Sequence, residues 1–245
     1  GLNMPTGIII NALSVALGGA IGALLGHKVP ARMKHELTLI FGVCSMGMGV
    51  SSIVLMKNMP AVIFSVVVGT AIGLACHLGQ WIHRGGMLME KPVSLIFKNQ
   101  PTGLSREEYM SVLVTVIVLF CASGTGIYGS LDSGISGDHT IMISKSVLDF
   151  FTAIIFAANL GLVVSFIAVP QMLIFLVIFA ASSIIYPLTT PDMIDDFKAC
   201  GGFLLIATGF RTSKIREFPT ADMIPAMALV MAVSWAWENW IVPLL

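Results

Sequence analysis

Lys145 and Asp149 sit four positions apart in a run otherwise free of charge, Ile141-Met-Ile-Ser-Lys-Ser-Val-Leu-Asp149. On a helix that spacing places both side chains on one face, where ammonium and carboxylate can pair. A helix starting near Thr140 carries Asp149 roughly 14 Å along its axis at about 1.5 Å per residue, close to the middle of a bilayer. An unpaired carboxylate is expensive there, and ionisable groups in membrane spans usually face a protein interior or a wet cavity. Two kinds of chemistry are open to the pair. It is either a fixed structural ion pair or part of a working site for a polar solute.

A second cue lies just upstream. Ser123, Gly124, Thr125, Gly126 and Gly129 make a poor helix interior, since each Gly costs about 1 kcal/mol relative to Ala. Such a stretch can unwind and offer backbone groups to a solute, as broken helices do in carriers. Close helix packing is the other reading, and for Gly18, Gly19, Gly22 and Gly26 it is the better one. The segment has no P-loop lysine, so its glycines say nothing of nucleotides. Asp138 lies between the two segments, and Asn11 stands early in the first apolar run, where it can bond a neighbouring helix. The candidate solute-binding set is therefore Asn11, Ser123, Gly124, Thr125, Gly126, Asp138, Lys145 and Asp149. No His-Glu-x-x-His, Gly-x-Ser-x-Gly or Cys/His cluster occurs, so no catalytic residue, metal site or cofactor is expected.

These residues need apolar elements to hold them. Hydrophobic residues are 56% of the chain and charged residues 11%, against about 25% charged in a soluble domain. The fold class expected is all-α and polytopic. Spans of roughly 20 residues fall at about 6–26, 37–56, 60–82, 109–129, 141–166, 171–188, 197–213 and 221–243. The first is long enough to span, so no separate signal peptide is expected. The polar stretch 83–108 reads as a cytoplasmic loop, 130–139 as a short outer loop and Pro170-Gln171 as a turn. Cys44, Cys76, Cys121 and Cys200 lie in apolar runs and read as buried thiols. Trp235, Trp237 and Trp240 read as an interfacial anchor. His77 reads as an interfacial histidine near the cytoplasmic end of the third span.

Charge orients the spans. Lys28, Arg32 and Lys34 follow the first span, Arg84, Lys91, Lys98 and Arg106 the third, and Lys214 and Arg216 the seventh. Basic loops lie in the cytoplasm, which places both termini outside. Asp132, Asp138, Asp192, Asp195 and Asp196 then fall at the outer face. A balanced formal charge argues against nucleic acid as a partner.

The chain also repeats. Pro30, Gly42, Gly49 and Pro60-Ala61 are echoed by Pro191, Gly202, Gly209 and Pro225-Ala226. With eight spans the two triplets run in opposite senses, which is the inverted repeat common in carriers. The expected organisation is a first repeat at 4–82, the loop at 83–108, a central helix pair at 109–166 and a second repeat at 171–243.

Phe120-Cys-Ala-Ser-Gly-Thr-Gly-Ile-Tyr-Gly129, Lys145-Ser-Val-Leu-Asp-Phe-Phe-Thr-Ala153, Pro187-Leu-Thr-Thr-Pro191 and Asn11-Ala-Leu-Ser-Val-Ala-Leu-Gly-Gly19 resemble a bacterial inner-membrane family, the YqgA/YdfK-like proteins (domain of unknown function 554). The likeness runs from Met4 over nearly the whole chain. It implies a multi-pass protein of the bacterial inner membrane and supplies no substrate or site residue. The function expected from the residues is a transporter or channel for a small polar solute or ion. A non-transporting scaffold, whose glycine stripes pack a homo-oligomer in the lipid bilayer, is the alternative. An intramembrane enzyme at Asp149 comes third and would need a second carboxylate beside it.

Overall fold

Inside a bilayer every backbone polar group must be satisfied by the chain itself, which leaves helices for apolar runs of this length. The computed structural model describes residues 4–96, 105–121 and 123–245, and no strand occurs among them. The helices are α1 (Thr6–Leu25), α2 (Ala31–Ile53), α3 (Met59–Ala75), α4 (Leu78–Ile96), α5 (Arg106–Cys121), α6 (Gly124–Ser136), α7 (Thr140–Leu160), α8 (Val163–Ile185), α9 (Pro191–Thr212) and α10 (Pro225–Ala236). Six helical segments among the described residues are long and apolar enough to cross a membrane, and a seventh if α3 and α4 count as one bent span. The expected count of eight is not reached by this measure. The short seventh span belongs to α9, whose first half carries Asp192, Asp195, Asp196 and Lys198.

Proline marks the helix starts. Pro30 caps α2, Pro60 lies in the first turn of α3, and Pro191 and Pro225 open α9 and α10. The first turn has no use for the missing N–H, and proline's fixed φ suits it. The turn between α7 and α8 is a correction. It falls at Gly161, with φ 83°, and not at Pro170-Gln171, which lie inside α8. A positive φ of this kind suits glycine, whereas a membrane helix tolerates an internal proline when its neighbours re-satisfy the backbone.

Two expected loops are also helical. After Ala75 the chain bends by 58° and resumes as α4. His77 takes φ 54° at the bend and is exposed there. Residues 83–96 of the expected cytoplasmic loop are therefore helix; 97–104, with Lys98, lie outside the described residues. The Asp222 carboxylate accepts the Gly79 N–H at 2.8 Å in the first turn of α4. Further along, Gly86 packs on Val118 of α5. The expected outer loop at 130–139 is likewise mostly helix, because α6 runs on to Ser136 and buries Asp132 and Ser133.

Helices pair along glycine seams. α1 lies along α7 and crosses α8, α2 lies along α9, α3 along α10, and α6 touches α7, α8 and α9. In the α2–α9 seam a Cβ on Gly42 would stand 2.5 Å from the Gly209 carbonyl oxygen, and one on Gly209 the same distance from that of Gly42. Gly49 and Gly202 repeat this reciprocity at 2.6 Å. Only glycine permits such backbone approach between membrane helices. Gly18 and Gly22 seat α1, and Gly26 the turn that follows it, against α7 in the same way.

Two main cores result. Val15, Leu113, Ile117, Phe120, Leu160 and Ile167 fill the space between α1, α5, α7 and α8. Tyr128, Phe197, Leu204, Met227 and Val230 fill that between α3, α6, α9 and α10. The outer faces remain apolar, with Leu17, Val50, Val67 and Val177 all exposed. Water would penalise such a surface and lipid does not. Cys121 and Cys200 are buried as expected, but Cys44 and Cys76 are exposed on outward faces.

Candidate functional site

Asp149 is the tenth residue of α7, and its side chain looks into the space between α1 and α8. Lys145, one turn earlier, donates to Asp149 Oδ2. Asn11 of α1 donates its Nδ2 to the same oxygen at 2.9 Å, and Gln171 of α8 donates its Nε2 at 3.3 Å. Gln171 also bonds the Phe120 carbonyl oxygen at 3.0 Å, at the end of α5. Three donors from three helices thus meet at one carboxylate oxygen. The Lys145 ammonium lies 5.5 Å from the Phe175 ring centre and 6.0 Å from that of Phe120, a range at which ring faces attract cations. Asn11 and Gln171 are fully buried, Lys145 is 3% exposed and Asp149 9%.

The broken helix borders this centre. α5 stops at Cys121 and α6 starts at Gly124, with Ser123 as N-cap accepting the Gly126 N–H at 3.1 Å. A Cβ on Gly126 would overlap the Phe175 ring and lie 3.1 Å from Lys145 Cε. Lys145 is therefore seated on the bare backbone of Gly126.

Asn11, Gly126, Lys145 and Asp149 come together from the expected set. Ser123 shapes the break beside them. Gly124 instead faces Leu204 and Thr208 of α9, and Thr125 is buried in the first turn of α6. Asp138 belongs elsewhere. It accepts from Lys198 Nζ of α9 at 2.9 Å, while Asp132 stands 3.8 Å from the same ammonium. Burial works to raise the Asp138 pKa, but hydrogen bonds from Thr140 and Lys198 outweigh it and hold the group down at about 2. Gln171 was hidden in the sequence by its neighbour Pro170, although a lone amide inside a long apolar run is itself a signal.

Asp196 shows that a buried carboxylate need not mark a site. It is fully buried and accepts from the Lys57 and Asn58 N–H groups, from Asn58 Nδ2 and from Ser234 Oγ. It holds the start of α3, not a solvated outer loop. An open groove of about 530 Å³, with Leu188, Met193, Trp235 and Trp240 in its lining, is largely apolar. Its tryptophans and apolar floor suit lipid better than a polar solute.

Helices with lipid-facing outer surfaces around an ion pair buried halfway along one of them define a polytopic membrane protein. The chain belongs to the family described as Protein of unknown function (DUF554), which it matches over residues 6–235. It is 43% identical over 237 residues to "Uncharacterized protein YqgA" of Escherichia coli (strain K12), covering 97% of this chain and 99% of that one. It is 22% identical over 230 residues to "Uncharacterized membrane protein YdfK" of Bacillus subtilis (strain 168), covering 91% and 93%. No solved structure matches it.

Proposed function

We propose that the chain moves a small polar solute or ion across the bacterial inner membrane, with the Lys145–Asp149 pair as its central site. The observation that carries this is the convergence of Asn11, Lys145 and Gln171 on one buried carboxylate oxygen beside a broken helix. Burying this much polarity in an apolar bundle is costly, and membrane proteins concentrate it on solute and ion paths.

The helix pattern supports a carrier built from inverted repeats. α1, the 3₁₀ turn Gly26–Lys28 and α2 are followed by α3. α8, the 3₁₀ turn Tyr186–Leu188 and α9 are followed by α10 in the same order. The reciprocal Gly42–Gly209 and Gly49–Gly202 contacts suit a two-fold axis passing between α2 and α9. On this reading α5, α6 and α7 are the inserted central unit, and both termini lie outside. Reporter fusions at the two ends test the orientation, and cytoplasmic signal from either end rejects it.

A scaffold is the second reading, favoured by the dryness of the centre, where Lys145 is 3% exposed and Gly126 lies on Phe175. Purified protein in proteoliposomes separates the two. Protein-dependent uptake of an ion, amino acid or carboxylate that Asp149→Asn abolishes supports transport. A panel without protein-dependent flux, from a stable homo-oligomer, supports the scaffold.

A further inference from the structure

The hydrogen-bond inventory of the centre is lopsided. Asn11 and Gln171 both spend their NH2 groups on Asp149, while Asn11 Oδ1 and Gln171 Oε1 are buried and have no hydrogen-bond partner among the described residues. A buried acceptor without a partner is destabilising, and here two of them border one carboxylate. Oxygen and nitrogen of an amide exchange places when the group turns over. With the Lys145 ammonium on Asp149, turning either amide would point an oxygen at the carboxylate and be repelled. With a free cation on the carboxylate, the same turn would bring both idle oxygens onto that cation. It would also release the Phe120 carbonyl, which now accepts from Gln171. That carbonyl lies in the last turn of α5, where helix carbonyls lack partners of their own.

We propose that the Asp149 centre binds a small monovalent cation in exchange for the Lys145 ammonium, with carbonyl oxygens of Asn11, Gln171 and Phe120 as its further ligands. A carboxylate with amide and main-chain carbonyls is a hard oxygen set of the kind that replaces the hydration shell of an alkali ion. The C-terminal ends of broken helices supply such carbonyls in carriers. Charge favours a monovalent ion. Once the Lys145 ammonium has let go, Asp149 carries one negative charge that one monovalent cation neutralises, whereas a divalent ion would add a further uncompensated charge in an apolar surround. The Phe120 and Phe175 rings already flank the ammonium where it pairs with Asp149, and their faces would continue to attract it as it lets go. Its stem lies on Gly126, where no side chain obstructs it.

The inference shares its site with the transport reading but is tested by binding alone. The full chain in detergent is melted in sodium, potassium and ammonium chloride against choline chloride at constant ionic strength, choline being too large for the site. Wild type should respond weakly, since its own lysine competes. In Lys145→Met the cation has no rival, and Tm should rise on the order of 5–10 °C once the cation exceeds its Kd about 100-fold. Lys145→Met/Asp149→Leu should show no response. The order of sodium, potassium and ammonium distinguishes an alkali from an ammonium site. Equal stability of Lys145→Met in choline and in all three salts overturns the inference. Should that variant prove too unstable in choline, Lys145→Gln is used, and failure of both to be rescued by any of the three salts also overturns it. Proteoliposome flux is judged separately. Cation-dependent stability without flux keeps this inference and rejects transport; flux without cation-dependent stability does the reverse.

Discussion

Two lysine–carboxylate centres lie at opposite ends of α6, and they are built on opposite ratios. At its start, one carboxylate, Asp149, is crowded by three donors, and the lysine is 3% exposed. At its other end, one lysine, Lys198, serves two carboxylates, Asp132 within the helix and Asp138 beyond it, whose side chains are 1% and 40% exposed. Asp132 is buried, with one oxygen idle among the described residues, but Asp138 opens this centre to water, which screens part of what the lysine does not neutralise. Surplus donors and idle carbonyls in a dry interior have no such relief. The outer centre therefore reads as a strap joining α9 to the loop before α7. The inner one reads as a poised site, and the expected effects of mutation should separate them.

The largest effect is expected at Asp149. Asp149→Asn strands the Lys145 ammonium in an apolar surround, which typically costs about 3–5 kcal/mol. Lys145→Met/Asp149→Leu should recover much of that stability, because nothing charged remains to be compensated, without recovering binding or flux. Thermal melts of the detergent-solubilised variants check the first claim and proteoliposome uptake the second. Native uptake by the double variant would make the pair purely structural and remove the contrast with Lys198.

Gly126→Ala comes next. Its methyl meets the Phe175 ring and Lys145 Cε, and overpacking of this kind costs about 1–3 kcal/mol. Gly47→Ala is the matched control. Nothing among the described residues lies within 4 Å of a Cβ there, so the helix should gain up to about 1 kcal/mol. If both substitutions change the melting temperature alike, Gly126 is no seat for the lysine.

How far the two centres were legible differs for the same reason. Lys145 and Asp149 announce themselves by spacing within one helix, and Ser123 to Gly126 by local chemistry that breaks it. Their partners were only half legible. Asn11 stands out in α1, but Gln171 beside Pro170 imitates a turn, and only the burial of α8 shows otherwise. Asp132 and Asp196 read as outer-loop residues because hydropathy judges a carboxylate by itself. Their burial depends on Lys198, Asn58 and Ser234, all distant in sequence. α4 beyond residue 82 was missed because His83, Arg84, Glu90 and Lys91, with Gly85, Gly86 and Pro92 between and beside them, make an amphipathic helix read as a polar loop. The prolines that open α2, α3, α9 and α10 and the glycines of the α2–α9 seam were legible, since they record helix starts and backbone contacts directly, whereas Pro170, inside α8, and the turn at Gly161 were not.

Lys198→Met should cost about 1–3 kcal/mol, the range for leaving a buried polar group short of a partner, and less than Asp149→Asn. It leaves Asp132 buried without its ammonium, but Ser136 still donates to Asp132 at 2.8 Å and Asp138 turns to solvent. Melts in high salt sharpen the comparison. Salt should reduce the share of the Lys198→Met effect that comes from Asp138, whose side chain is 40% exposed, and leave the Asp149→Asn effect nearly unchanged, because exposed charges are screened and buried ones are not. Equal salt sensitivity would place both centres in the same environment.

The smallest expected effect is a pH window at Asp138. Its carboxyl is held at about 2 in the folded chain against an ordinary 3.8. A carboxyl whose folded pKa is depressed adds stability that is present above its unfolded pKa. That stability is lost as pH falls through the folded value. Wild type should therefore lose this increment between pH 3.8 and about 2. Asp138→Asn, which cannot ionise, should lack the increment at every pH. The difference in Tm between the two should be constant at neutral pH, shrink across that window and close below it. Lys198→Met removes one cause of the depression but keeps the Thr140 N–H bond at 3.0 Å, so its window should narrow and not vanish. A difference that persists unchanged to the acid end would mean that Asp138 acts through packing alone. The outer centre would then be a spacer between α9 and the loop before α7, and not an electrostatic strap.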